Sequence, residues 1–111
     1  LKTGLISRLA ALSAAIAVVA GAFGAHGASG KAAEWLRTGA EYEMVHAVGA
    51  LLAVRVIKAP LAALLLLAGS GLFAGTLYAM ALGGPRWLGA VTPLGGVGMI
   101  VGWVLLACRR N

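Results

Sequence analysis

The side chains able to do chemistry are few, and most of them fall in one stretch. Both histidines, His26 and His46, and all three acids, Glu34, Glu41 and Glu43, lie between Gly21 and His46 of a 111-residue chain. A helix through Tyr42, Glu43 and His46 sets His46 one turn beyond the other two, at separations of four and three residues. With His26 brought in from a preceding helix, this is a candidate polar cluster of His26, Tyr42, Glu43 and His46. Ionisable groups at membrane depth are costly and mark functional sites, so the chemistry suggested is a proton or cation relay near one face of a membrane. If the interface lies near Tyr42, the glutamates are instead headgroup-level residues.

Two histidines from different helices are also the minimum for a haem or metal site. The stripes of Ala and Gly argue for helices packed too closely to admit one, so no cofactor and no metal is expected at His26 and His46. Each ring should instead bond a backbone carbonyl, Tyr42 or a glutamate. Nucleophilic catalysis has little support: Ser7, Ser13 and Ser70 have no histidine nearby in sequence, Ser29 follows His26 only across a glycine-rich turn, and Cys108 is remote from both. There is no CxxC, no phosphate-binding glycine loop ahead of a lysine, and no pair of carboxylates flanking a pocket. The expectation is a protein that is not an enzyme.

The elements that must position these residues follow from composition. A chain that is 61% hydrophobic and 11% charged, with mean hydropathy +0.97, is membrane protein rather than soluble domain. The net charge of +6 comes from Lys and Arg placed singly or in pairs at the ends of apolar runs, which favours membrane orientation over nucleic-acid binding. One domain, residues 1–111, is expected to be an all-α, antiparallel four-transmembrane-helix bundle. Its spans are about 5–25, 40–57, 61–82 and 91–108. The second helix begins with an amphipathic, interfacial stretch at about 32–41. The first run has a rival reading as a cleavable signal peptide, with Ala20-Gly21-Ala22 as the cut. Its helical stripe of Ala10, Ala14, Ala17, Gly21 and Gly24 continues past that point, so it is read as a span.

Gly24, Gly27 and Gly30 predict a reversal around Ala28 to Lys31. Pro60 suits the start of the third helix, Gly83-Gly84-Pro85 its end, and Thr92-Pro93 a cap with proline at the first position of the fourth. Helix packing is assigned to Gly21, Gly24, Gly49, Gly71, Gly75, Gly95, Gly98 and Gly102. Trp35, Trp87, Arg109 and Arg110 are the expected interface anchors. If the spans alternate, Lys2, Arg8, Arg55, Lys58, Arg109 and Arg110 share one side with no acid. The other side holds Lys31, Arg37 and Arg86 against the three glutamates, so the positive-inside rule predicts cytoplasmic N and C termini.

The ordered series GAFGAHG at 21–27, Trp35, Tyr42, His46, GLFAGTLY at 71–78, LGAVTPLGG at 88–96 and Gly102-Trp103 resembles the YgdD-like family. Those are small bacterial inner-membrane proteins catalogued as domain of unknown function 423 and related to an animal mitochondrial transmembrane protein. The resemblance implies a four-span, multi-pass protein of the bacterial inner membrane and brings no established activity. Three functional readings follow. The first is a non-catalytic helical module that self-associates or serves as an accessory subunit of a larger membrane complex. The second is a small transporter or proton- and cation-handling protein using the polar cluster. The third is lipid or quinone binding, in a groove near Trp35 and Trp87. Expected partners are membrane lipids, other membrane subunits or a second copy, and not nucleic acid.

Overall fold

A computed structural model describes residues 2–109, which are helical throughout apart from short connections. The helices are α1, Thr3–His26; α2, Gly30–Leu52, running on into a π-helical turn at Ala53–Ile57; α3, Pro60–Ala81; and α4, Leu88–Ala107. Arg110, one of the expected anchors, lies outside the described residues.

The reversals use the chemistry the sequence supplies. Gly27 N–H closes α1 on the Phe23 carbonyl at 2.8 Å, and Gly30 starts α2 with φ of 62°, a left-handed conformation that glycine adopts without Cβ strain. The π-turn ends where Lys58 takes φ of 63°, with Ala59 N–H bonded back to the Ala53 carbonyl at 2.8 Å. Pro60 then opens α3 in its first turn, where its missing N–H has no helical acceptor to serve. At the other end of α3, Gly83 (φ 99°) donates to Met80 and Gly84 to Ala79, a Schellman arrangement that satisfies the last carbonyls.

The start of α4 departs from expectation. Pro93 is inside the helix, five residues beyond its first residue Leu88, and Thr92 is not a cap. The Thr92 hydroxyl bonds back to the Leu88 carbonyl at 3.1 Å and meets the Thr76 hydroxyl of α3 at 2.6 Å. Proline is tolerated there because only its own N–H is lost, within the first two turns. The earlier start also lengthens α4 to about 30 Å, a full hydrocarbon thickness.

Consecutive helices are antiparallel neighbours: α1 lies on α2, α2 on α3 and α3 on α4, with a lesser contact between α1 and α3. The bundle is therefore an open row rather than a closed ring. Its interior is made of small side chains, with Ala10, Ala47, Ala50, Ala53 and Ala63 entirely buried around Ile6 and Leu66. The outside carries the large ones, including Leu12, Val19, Val45, Val56, Leu94 and Ile100, all more than half exposed. That inversion suits a surface that meets lipid, where close backbone approach rather than expulsion of water holds helices together.

Glycines make the closest approaches. A Cβ on Gly95 would come 2.5 Å from the Gly69 carbonyl oxygen and the Phe73 nitrogen, and one on Gly98 3.3 Å from Gly69 Cα. A Cβ on Gly102 would meet Leu66 at 2.9 Å, one on Gly49 would meet Trp103 at 2.9 Å, and Gly24 and Gly21 face Leu36 and Ala40 across α1–α2. Gly69, which spacing did not single out, lies at the centre of the α3–α4 contact. Gly71 and Gly75 face open space, with nothing within 4 Å of an added Cβ, and pack on no helix of this chain.

Three helices, α1, α3 and α4, are long and apolar enough to cross a membrane. The first half of α2 exposes Lys31, Glu34, Arg37 and Glu41, whereas its second half exposes Val45, Val48 and Leu52. At one end of the helix axes Arg109 Nη2 donates to the Lys58 carbonyl at 3.0 Å. At the other, the Arg86 guanidinium lies 6.0 Å from the centre of the half-buried Trp35 ring, while Trp87 is exposed.

Candidate functional site

The interior of α2 is a stripe of Ala33, Leu36, Ala40, Glu43, Ala47 and Ala50, repeating at three and four residues. Glu43 is the one acid on it. Only 4% exposed, it accepts hydrogen bonds from Ser13 Oγ of α1 to Oε2 and from the Tyr78 hydroxyl of α3 to Oε1, each 2.7 Å. Three helices are thus joined through one carboxyl group. An interface near Tyr42 would put Glu43 at headgroup level, whereas its hydrogen-bond partner Ser13 is at the middle of the apolar helix α1.

The site is opened by what is missing from its wall. Gly71 and Gly75 leave a groove of about 580 Å³ between α1 and α3, bounded by Leu9, Leu12, Ile16, Leu64 and Leu67, with Ser13, Glu43 and Tyr78 as its polar residues. Leu12 and Ile16 on its rim are more than half exposed, so it opens sideways, toward the surface that carries the other large apolar side chains. An apolar recess of this size with a few convergent polar groups is the usual form of a small-ligand site. No ionic group other than Glu43 lines it among the described residues.

Tyr42 and His46 belong to a different surface of α2. His46 Nδ1 is 2.6 Å from the Tyr42 carbonyl, its ring stacks at 6.0 Å on Tyr42 and meets Trp103 of α4 edge-on at 5.7 Å, and Tyr42 packs on Phe73. A backbone carbonyl in contact with one ring nitrogen fixes which tautomer the ring adopts. His26 is exposed at the end of α1 and does not join the others. From the pairing of Gly24 with Leu36 and of Gly21 with Ala40, His26 and His46 are separated along the helix axes by about 18 Å. That separation is too large for both to ligate one haem iron or one metal ion, and among the described residues no group of three or more His, Cys, Asp or Glu converges.

Of the four residues grouped by spacing, the structure keeps Tyr42 with His46, sets Glu43 beside them but bonded elsewhere, and leaves His26 apart. Ser13 and Tyr78 were the omissions. Both carried a signal: Ser13 interrupts the small-residue stripe between Ala10 and Ala17, and Tyr78 continues the face of Gly71 and Gly75. A polar residue on a stripe of small ones faces a neighbouring helix and must find a partner there. Thr76 and Thr92, bonded to each other at 2.6 Å, obey the same rule. Trp35 and Trp87, near which a groove was expected, do not line this one.

Comparison with known proteins finds membrane proteins of a family of unknown function. The family described as "Protein of unknown function (DUF423)" matches residues 20–96. A UPF0382 membrane protein of Haemophilus influenzae is 42% identical over 82 residues, 69% of this chain and 66% of the relative. YwdK, a UPF0382 membrane protein of Bacillus subtilis, is 41% identical over 77 residues, 62% of each chain. The UPF0382 inner membrane protein YgdD of Escherichia coli K12 is 41% identical over 78 residues, 65% of this chain and 60% of the relative. The matched stretch is therefore less than two thirds of these relatives' own length. No solved structure matches.

Proposed function

The chain belongs to the DUF423 family of membrane proteins, and from that premise we propose that it is a four-span, non-catalytic protein of the bacterial inner membrane that takes up a membrane-dissolved ligand in the groove between α1 and α3. The observation that carries this reading is the position of Glu43, a carboxyl group 4% exposed at the floor of an apolar recess open to the side. A buried carboxyl group is expensive to keep in an apolar interior, and bonds to two hydroxyls offset only part of that cost. Such groups in membrane helices are retained where they hold something. Among the described residues no histidine is bonded to a serine or to Cys108, His46 Nδ1 being on the Tyr42 carbonyl, and binding rather than turnover is the role proposed.

The reading is tested by native mass spectrometry of the full chain released from membranes. The wild type is expected to carry a bound amphiphile and Gly75→Leu to have lost it, because leucine at that open position fills the recess without meeting any backbone. Equal retention by both would end it.

The proposed topology is four crossings with cytoplasmic termini, and two observations support it. The second half of α2 exposes apolar side chains, and the contact of Arg109 with the Lys58 carbonyl places basic residues of the α2–α3 connection and of the C-terminal end together. In a Cys108→Ser background, Ser29→Cys should react with an impermeant maleimide from outside intact cells, and Arg55→Cys only after permeabilisation. The reverse pattern would refute the orientation.

A second reading has its own observation. Gly71 and Gly75 form a small-residue pair with nothing packed on it, so a second copy or a subunit of a larger complex could lie there. Cross-linking between cysteines placed at 71 and 75 would favour this assembly role over ligand uptake.

A further inference from the structure

We propose that the ligand class of the groove is a lipophilic cation, a membrane-soluble amine or quaternary onium compound with bulky apolar substituents, with Glu43 as its counter-charge. The inference rests on the reading of the groove as a ligand site and adds what that ligand must be. Its walls are hydrocarbon, supplied by Leu9, Leu12, Ile16, Leu64 and Leu67. Its floor offers a carboxyl group held in place by Ser13 and Tyr78 at 2.7 Å each.

Both described partners of Glu43 are neutral hydroxyls, which orient a carboxylate and share its charge without cancelling it. A carboxylate accepts about four hydrogen bonds, so accepting capacity is left over at the groove floor. In a medium of low dielectric an uncompensated carboxylate attracts a cation far more strongly than it would in water. Among the described residues every basic side chain is exposed and none lines the groove; Arg8, the nearest to it in sequence, is one turn before Leu12 on α1. His46, one turn beyond Glu43, has its Nδ1 on the Tyr42 carbonyl and its ring against Trp103.

The same features discriminate against other occupants. An anionic lipid headgroup would set negative charge against Glu43. A neutral acyl chain would fill the walls and leave the floor unanswered, and a second copy's helix would have to bring a basic residue to the middle of the membrane. A cation carried on an apolar body uses both surfaces. It can approach from the lipid side, because the opening lies between Leu12 and Ile16 on α1 and Ala68 and Gly71 on α3, all exposed. The Tyr78 ring at the groove edge adds an aromatic neighbour of the kind that favours onium groups.

Equilibrium binding of tetraphenylphosphonium to the full chain in detergent tests the proposal, with tetraphenylborate as a probe of similar size and opposite charge. Saturable binding of the phosphonium is expected, weaker by about tenfold or more in Glu43→Gln, with no saturable binding of the borate. Glutamine keeps the length and an acceptor for the two hydroxyls, so this variant should fold. Gly75→Leu, which keeps Glu43 and both its partners, should lose the phosphonium as well. Equal binding by wild type and Glu43→Gln, equal binding of the borate, or no saturable binding of the phosphonium would each overturn the proposal. If an amphiphile that co-purifies with the wild type is still lost in Gly75→Leu, only the charge assignment falls. If nothing is retained and cysteines at 71 and 75 cross-link, the groove is covered by protein and the ligand reading falls with it.

Discussion

Replacing Gly95 with leucine is expected to separate α3 from α4 and to cost the protein roughly 3 kcal/mol or more, at or beyond the upper end of overpacking effects in well-packed cores. The obstacle is backbone: even the Cβ would lie 2.5 Å from the Gly69 carbonyl oxygen and the Phe73 nitrogen. No rotamer change relieves such a contact, so the helices must move apart, and the Thr76–Thr92 hydroxyl bond at 2.6 Å would open with them. The check is the unfolding midpoint in detergent, with Gly96→Leu as control, since an added Cβ at Gly96 meets nothing within 4 Å. A midpoint for Gly95→Leu equal to that of Gly96→Leu would show that the two helices do not meet as described.

Tyr78→Phe should be the more informative loss. The ring packs on Gly39, where an added Cβ would be 2.7 Å from it, and phenylalanine preserves that contact. Only the hydroxyl is removed, and with it one of the two donors to Glu43. Hydrogen bonds to charged groups contribute about 1.5–3 kcal/mol, and a buried acceptor left short of a partner keeps its full desolvation penalty. A loss in that range is expected in the wild-type background and a smaller one beside Glu43→Gln, where no full charge remains. A double-mutant cycle on detergent unfolding measures the difference. Equal losses in the two backgrounds would mean that the hydroxyl does not serve Glu43. Ser13→Ala should behave in the same way, because Ser13 holds the other carboxylate oxygen.

The sequence and the structure agree most closely where a local rule has no competitor. The third helix was legible to within a residue, since Pro60 can start a helix and Gly83-Gly84 can end one whatever surrounds them. The fourth was misjudged at its start because Thr92-Pro93 has the local form of a cap. Thr92 instead bonds Leu88 and Thr76, and the partner that decides the matter is 16 residues away. Gly71 and Gly75 show the same limit in reverse. Their spacing is that of a packing motif, but spacing does not say whether a partner is present, and within this chain none is.

The candidate site divides along the same line. Tyr42 and His46 were legible as a pair because one turn of one helix joins them. The grouping with His26 failed because it depended on where the end of α1 falls beside α2, a register set by Gly24 against Leu36 and Gly21 against Ala40. Glu43 was visible as an ionisable residue near membrane depth. Its partners Ser13 and Tyr78, 30 and 35 residues away, were not.

By itself, the sequence determined that this is a helical membrane protein of the DUF423 family with its basic residues at the ends of apolar runs. Hydropathy, charge and helix-breaking residues act locally and can be read along the chain. Only the tertiary structure decided that Glu43 meets Ser13 and Tyr78 at the floor of a groove left open by two glycines. That arrangement depends on helix rotation and register, which in an apolar medium are settled by the fit of small side chains across each interface and by no property of any one segment.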